Sequence, residues 1–340
     1  MSQNIYTDGV LTDVNVRYWT AAIMLNAEDM GLKDTDIVDA FKLGKKLLIP
    51  KEIIHEFRAI EGRARRVVEK NSFQFPIGNA RFVPRTKFAK VVKALQQCQD
   101  EYEALTDKLV ANYYKYRQEM IPIYRQAAET AFIAQTPTGV QEFSLEGREQ
   151  EKTDFVNTFL QRIQASYPAV DTLRSKFSLT WDIYEIALPR MRKGDENQII
   201  ASETGRQFAI QEYQVQVQKR IGTFLDDVVT TLRSETVALC SRVANNIKDG
   251  KVVNSRTLKS IRDYIDQVKE MNFVGDRKVE DQLNNLQRDF LNVHSTEKIT
   301  SEVELQDELK RRLGELAAVV GDMTDVNSVT GEYRRKIDLE

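Results

Sequence analysis

Hydrophobic positions recur first with period two and then, for most of the chain, with the three-and-four spacing of a helix. Val10, Thr12, Val14, Val16 and Tyr18 share one parity while Asp13, Asn15 and Arg17 take the other. Such alternation among β-branched residues predicts a half-buried strand. Short helices are expected over 19–26, ending at Gly31, and over 36–41. Ile49-Pro50-Lys51-Glu52 marks a helix start, with Pro at the first helical position and an acid in the first turn. Ile53, Ile54, Phe57, Ile60, Ala64, Val67 and Val68 carry that helix to Lys70. Phe73, Phe75 and Ile77, then Phe82 and Val83, flank Gly78-Asn79, the pattern of a small β-hairpin.

A longer pattern follows. Phe88, Val91, Leu95, Cys98, Tyr102, Leu105, Leu109, Asn112 and Tyr116 alternate in steps of three and four, a heptad seam. It predicts a helix from Pro84 to Gln135, kinked at Pro122 and ~75 Å long. After Thr136-Pro137-Thr138-Gly139, helices are expected over 147–166 and 169–176. Phe177, Leu179, Trp181 and Ile183 share one parity and Tyr184, Ile186 and Leu188 the other, a strand with a bulge or one buried on both faces at its end. Residues 189–202 read as a loop.

A second long helix is expected over 203–248, with the seam Phe208, Val215, Ile221, Leu225, Val228, Leu232, Thr236, Leu239, Val243 and Ile247. If it returns antiparallel to the first, facing Gln135 with Glu203 also sets Cys98 level with Cys240, two small apolar residues in one layer. Amphipathic helices are expected over 257–271, 279–293 and 300–320, with Ser301 and Glu304 as a capping box. The segment after Gly321 reads as a mobile polar tail.

Composition supports long helices. In 340 residues there are only 15 Gly and seven Pro, with 41% hydrophobic and 29% charged positions, which excludes collagen-like, disordered and turn-rich sandwich classes. Two cysteines fit a reducing compartment. The N-terminal residues have neither the basic nor the apolar region of a signal peptide, and no apolar run is long enough to span a membrane. Cytoplasm, or host cytoplasm for a phage-encoded protein, is the expected location. The net charge of −2 hides a strong asymmetry. Residues 58–93 hold ten bases and two acids, whereas 1–39 hold seven acids and two bases, and 295–340 eleven acids and seven bases. Pairing among these blocks is one reading, and an anion or acidic-partner site the other.

Candidate chemistry is sparse. His55 and His294 lack partners at metal-ligand spacing, and Cys98 and Cys240 sit on apolar seams rather than beside a base. Leu43-Gly44-Lys45-Lys46 matches only the end of a P-loop. Asp34, Asp36 and Asp39 read as helix capping, and Asp226 and Asp227 as a solvated helix face. Tyr113, Tyr114, Tyr116 and Tyr124 beside Lys115, Arg117 and Arg125 could stack single-stranded nucleic acid, although core and rim positions on the seam explain them more simply. No catalytic residue, metal site or cofactor is expected. The best candidate for binding a partner or anion is the basic block of Arg58, Arg63, Arg65, Arg66, Lys70, Arg81, Arg85 and Lys87.

The segments Leu25-x-x-Glu28-Asp29-Met30-Gly31, Leu43-Gly44-Lys45-Lys46-Leu47, Phe57, Ala64 and Phe75-x-x-Gly78-x-Ala80-x-x-Val83-Pro84, with Phe177–Trp181 and Asn272-Phe273-Val274-Gly275-Asp276, carry a resemblance over most of the chain. The chain resembles an uncharacterised helical family of bacterial and phage proteins encoded beside MoxR-type AAA+ ATPases and von Willebrand A-domain proteins. The resemblance brings no activity with it. It implies a partner class, a AAA+ ATPase working with a von Willebrand A protein as a remodelling machine.

The expected fold is mainly α with minor β (α+β). A base domain of 1–83 with 249–322 would carry an antiparallel coiled-coil arm of 84–135 and 203–248. Residues 136–202 would form a tip or cap, and 323–340 the polar tail. The expected function is that of a non-enzymatic adaptor or accessory partner of the AAA+ system. The alternatives are a self-assembling structural protein, possibly phage-encoded, and nucleic-acid binding through the basic 58–93 block.

Overall fold

The computed structural model describes residues 5–26, 29, 44–76, 78–134, 145–186, 200–250 and 252–337. The fold is mainly helical with a small antiparallel sheet. Helix α1 (Ile5–Asp8) leads into β1 (Gly9–Arg17), followed by the short strands β2 (Ala22–Met24) and β3 (Lys45–Leu47). Helix α2 (Lys51–Lys70), the hairpin β4 (Phe73–Gln74) and β5 (Arg81–Pro84), and α3 (Arg85–Ala134) come next. Then follow α4 (Leu145–Ala165), α5 (Val170–Leu173) with a 3-10 turn at Arg174–Lys176, and β6 (Ser178–Tyr184). The remainder is α6 (Ile200–Lys248), α7 (Ser255–Met271), α8 (Arg277–Leu286) with a π turn at Gln287–Leu291, α9 (Thr296–Ser301), α10 (Val303–Gly321) and α11 (Val326–Ile337). Strand order is β4-β5-β1-β6, and β2 pairs with β3 in a separate ladder. No helix among the described residues is long and apolar enough to cross a membrane.

The chain divides into two compact units, each assembled from separated segments. The first takes Met1–Asp13, Val67–Lys93 and Asp182–Glu340, and the second Val14–Arg66 and Ala94–Trp181.

In the first unit, α6 packs along α10 and α11, α8 and α9 pack on α10, and α7 packs on α6, α8 and α9. The apolar faces meet in one core that includes Leu225, Val229, Ile261, Ile265, Leu309 and Leu313. Aromatic rings fill the junction with the hairpin. Phe82 lies 4.8 Å from Phe273 and 5.3 Å from Phe224, and Phe75 lies 5.0 Å from Phe224. Gly9 faces Pro84 across the β1–β5 ladder, and a Cβ there would stand 2.4 Å from the Phe82 ring and 2.6 Å from the Val83 carbonyl. Only glycine fits that approach.

The turn between α7 and α8 is built by the Asn272–Asp276 motif. Asn272 Oδ1 accepts from the Asp276 backbone N–H at 2.8 Å, Asn272 Nδ2 donates to the Asp276 carbonyl and to Glu280, and Gly275 takes a φ of +78°. Arg233 of α6 donates to the buried Asp276 carboxylate and to the Met323 carbonyl. This motif therefore holds three parts of the first unit together.

In the second unit, the α3 seam is buried at Leu95, Cys98, Tyr102, Leu105, Leu109, Tyr113 and Tyr116. Phe57 of α2 packs on Tyr102 at 5.0 Å and on Phe177 at 4.7 Å. A second cluster joins Met120, Tyr124 and Ala128 of α3 to Val156, Phe159, Leu160 and Ile163 of α4. Tyrosine hydroxyls satisfy carbonyls that the irregular segments leave open: Tyr102 donates to Arg17, Tyr113 to Pro168, Tyr124 to Leu47 and Tyr167 to Leu48.

Several expectations need correction. The helix expected over 19–26 is instead β2, which pairs Ala22 with Leu47 and Met24 with Lys45, while Ala21 sits at a φ of +52°. A tertiary ladder overrides local helix propensity there. Strand β6 is not buried on both faces at its end, since Ile183 and Tyr184 are exposed. The capping box at Ser301 does not form: α10 begins after Glu302, and Ser301 Oγ donates back to Lys298 within α9. The cap lies earlier, where Ser295 accepts from the Lys298 N–H. The segment read as a polar tail carries α11, whose Thr330 and Tyr333 are fully buried.

The antiparallel coiled-coil arm is not confirmed. The seam of α6 is covered by α10 and α11, Cys240 belongs to the core of the first unit, and Cys98 lies in the second. The helix expected over 36–41 and most of the expected 189–202 loop fall outside the described residues.

Candidate functional site

The basic block starts on α2, an amphipathic helix. Ile53, Ile54, Phe57, Ile60, Ala64 and Val68 are its buried face, so the intervening bases point outward. Arg58 and Arg65 stand two turns apart, on one side of the helix. Both are exposed, as is Arg66, whose guanidinium folds back beside Gly62.

The structure sorts the eight candidate bases into two groups. Arg63 pairs with Glu101, Arg65 with Glu61 through Nε and Nη2 at 3.0 Å, and Lys87 with Glu270. Arg81 is half-buried and donates to Ser72 and Gln74, which ties β5 to β4. Burial lowers its pKa, opposed by nearby Glu69. The Lys87 side chain is only 2% exposed, so its ammonium anchors α3 to Glu270 of α7 and is not available to a partner. Arg58, Arg66, Lys70 and Arg85 are exposed and have no ion-pair partner among the described residues. By the division into units, Arg58, Arg63, Arg65 and Arg66 belong to the second unit, and Lys70, Arg81, Arg85 and Lys87 to the first.

The other sequence candidates have structural surroundings. Lys46 is buried and pairs with Asp29, whose carboxylate also accepts the Asn26 N–H at 2.8 Å, so two of the resembling segments meet in one contact. Tyr113, Tyr116 and Tyr124 are buried, while Tyr114 is 70% exposed. His294 packs on Phe290, and His55 is exposed. Both cysteines are buried, and burial pushes the Cys240 thiol up to about 12. Asp226 is not part of a solvated face: it accepts from Thr330 and Arg334 of α11. Among the described residues, no group of three or more His, Cys, Asp and Glu side chains is arranged to hold a metal ion. Asp34, Asp36 and Asp39 lie outside the described residues.

Sequence reasoning missed Arg233, and it read Arg117 only as a base beside the tyrosines of the α3 seam. The signal for Arg233 was a charge on an apolar seam, directly after Leu232. Arg117 sits 4.5 Å over the Tyr167 ring and 5.7 Å from Tyr113, beside a cleft between α3 and α4. Only folding brings Tyr167 to it.

No curated protein and no solved structure matches the chain. A family model described as "Protein of unknown function (DUF3150)" matches residues 7–306. That match spans the strand β1, the basic helix α2, both long helices and the Asn272–Asp276 turn, and the chain belongs to the DUF3150 family.

Proposed function

We propose that this protein is a non-enzymatic adaptor or accessory partner of a MoxR-type AAA+ ATPase that works with a von Willebrand A protein. The observation that carries the reading is the outward face of α2, where Arg58 and Arg66 stand exposed without an acidic partner among the described residues. Cations fixed on a packed helix steer association with an acidic protein surface and set its register. The resemblance supplies the class of partner. The best-buried polar residues of the resembling segments, Asp29, Lys46 and Asp276, hold elements together, which leaves the exposed bases of α2 as the groups open to a partner. On this reading the protein acts in the cytoplasm, the host's if it is phage-encoded.

Affinity purification of the tagged chain from its native host tests the proposal. The wild type should retrieve the ATPase and change its turnover. The Arg58→Glu/Arg66→Glu variant should do neither. Retrieval of no ATPase, with turnover unchanged by the wild type, overturns it. Binding to nucleic acid that weakens steeply with salt, in the absence of any ATPase, would instead support the nucleic-acid alternative.

A further inference from the structure

We infer that the cleft between α3 and α4 in the second unit is a recognition site for a carboxylate on a short apolar stem, with Arg117 as the anion-binding residue. This inference is independent of the α2 surface. The cleft is small and partly open to solvent. Its floor is apolar, made by Leu160 and Ile163 with the ring of Tyr124. Its polar groups are Arg117, Gln118 and Gln164.

Three features single out Arg117. Its guanidinium lies over the Tyr167 ring at 4.5 Å, so one face is already desolvated and held. A guanidinium seated on an aromatic face keeps its N–H donors in its own plane, free for a two-pronged bond to a carboxylate. No carboxylate among the described residues pairs with it, in contrast to Arg63, Arg65 and Arg174 in the same unit.

The surroundings favour an incoming anion over an internal one. The Tyr124 and Tyr167 hydroxyls already donate to the Leu47 and Leu48 carbonyls, which fixes the walls and leaves the hydroxyls engaged. The amides of Gln118 and Gln164 make no side-chain hydrogen bond among the described residues and can donate to the second oxygen of a ligand. The apolar floor then takes the stem. The carboxylate can come from a free short-chain acid or from an acidic side chain of a partner protein.

Methyl-resolved NMR of the full chain tests this, with Ile121 and Ile163 as reporters inside the cleft. Titration with butyrate should shift both methyls saturably, and butylammonium and butanol should not. Arg117→Gln should abolish the shift, and Arg117→Lys should weaken binding by about tenfold, because an ammonium lacks the planar fork. If Arg117→Gln disturbs the fold, Gln118→Leu/Gln164→Leu decides, with a several-fold loss expected in an otherwise unchanged spectrum. A second arm uses an N-acetyl-glutamyl peptide amide. Tighter binding than butyrate assigns the site to a partner's acidic side chain, and weaker binding to a free acid. Absence of a saturable shift with both acids, equal response to butylammonium, or butyrate binding retained in a folded Arg117→Gln variant overturns the inference.

Discussion

Arg233 Nε donates to Asp276 Oδ2 at 2.8 Å, and both side chains are almost completely withdrawn from water, at 6% and 1% exposure. The pair links α6 to the α7–α8 turn. Burial lowers the Arg233 pKa, and its bonds to Asp276 and Asp325 more than offset that, so it remains charged. Removing one partner of such a pair strands the other charge in a poorly solvated site. Arg233→Ala should therefore destabilise the protein by ~3–5 kcal/mol. Urea denaturation compared with the wild type checks this, and a change under ~1 kcal/mol would discard the clamp.

Asp325 extends the same cluster to a pH response. The Lys278 ammonium, then Ser328 and Arg233, hold its carboxyl down at about 2, against an ordinary value of 3.8. A depressed carboxyl contributes stability that is complete above its unfolded pKa and is lost as pH falls through its folded one. The contribution is therefore full above about 3.8 and disappears towards about 2. Asp325→Asn should flatten the acid limb of the stability profile in that window. Identical limbs for variant and wild type would contradict the assignment.

Tyr333 tests whether the end of the described chain belongs to the core. Its ring is fully buried, lies 5.9 Å from Phe273, and its hydroxyl donates to Asp8 at 2.6 Å. Tyr333→Ala removes a large aromatic side chain from a packed site, a change that usually costs ~3–5 kcal/mol. A polar tail would tolerate the substitution with no change in melting temperature.

The thiols should be silent. Burial pushes the Cys240 thiol up to about 12 and raises Cys98 as well, so neither presents thiolate near neutrality. Ellman's reagent should label neither residue in the native protein at pH 8 and both after denaturation. Rapid native labelling of Cys240 would show that the face of α6 packed into the first core opens readily.

Strand β1 and the α3 seam could be read directly, from β-branched alternation between Val10 and Val16 and three-four spacing from Val91 to Leu109, although Leu11, on the other parity of β1, is buried too. Strand β2 could not, since its three residues are strand only through pairing with Lys45–Leu47. Helix α11 was hidden because Glu332 and Arg334 flank Tyr333 and make a buried segment look polar. The basic block was legible as a block but not as a site. Lys87 and Glu270 are 183 positions apart, and no local pattern announces that one cation is consumed while Arg58 is left exposed. The α6 seam was read as apolar and α10 as a helix, yet α10 and α11 lie beyond α7, α8 and α9 in the chain, and their packing on α6 was not inferred.

The bond between Tyr333 and Asp8 spans 325 positions. During synthesis at roughly 5–20 residues per second, the segment around Asp8 waits on the order of tens of seconds before its partner leaves the ribosome. Early in that interval the hairpin rings of Phe75 and Phe82 lack Phe224 and Phe273, and β1 has β5 beside it before β6 is made. The first unit thus completes its core only once α11 has been made.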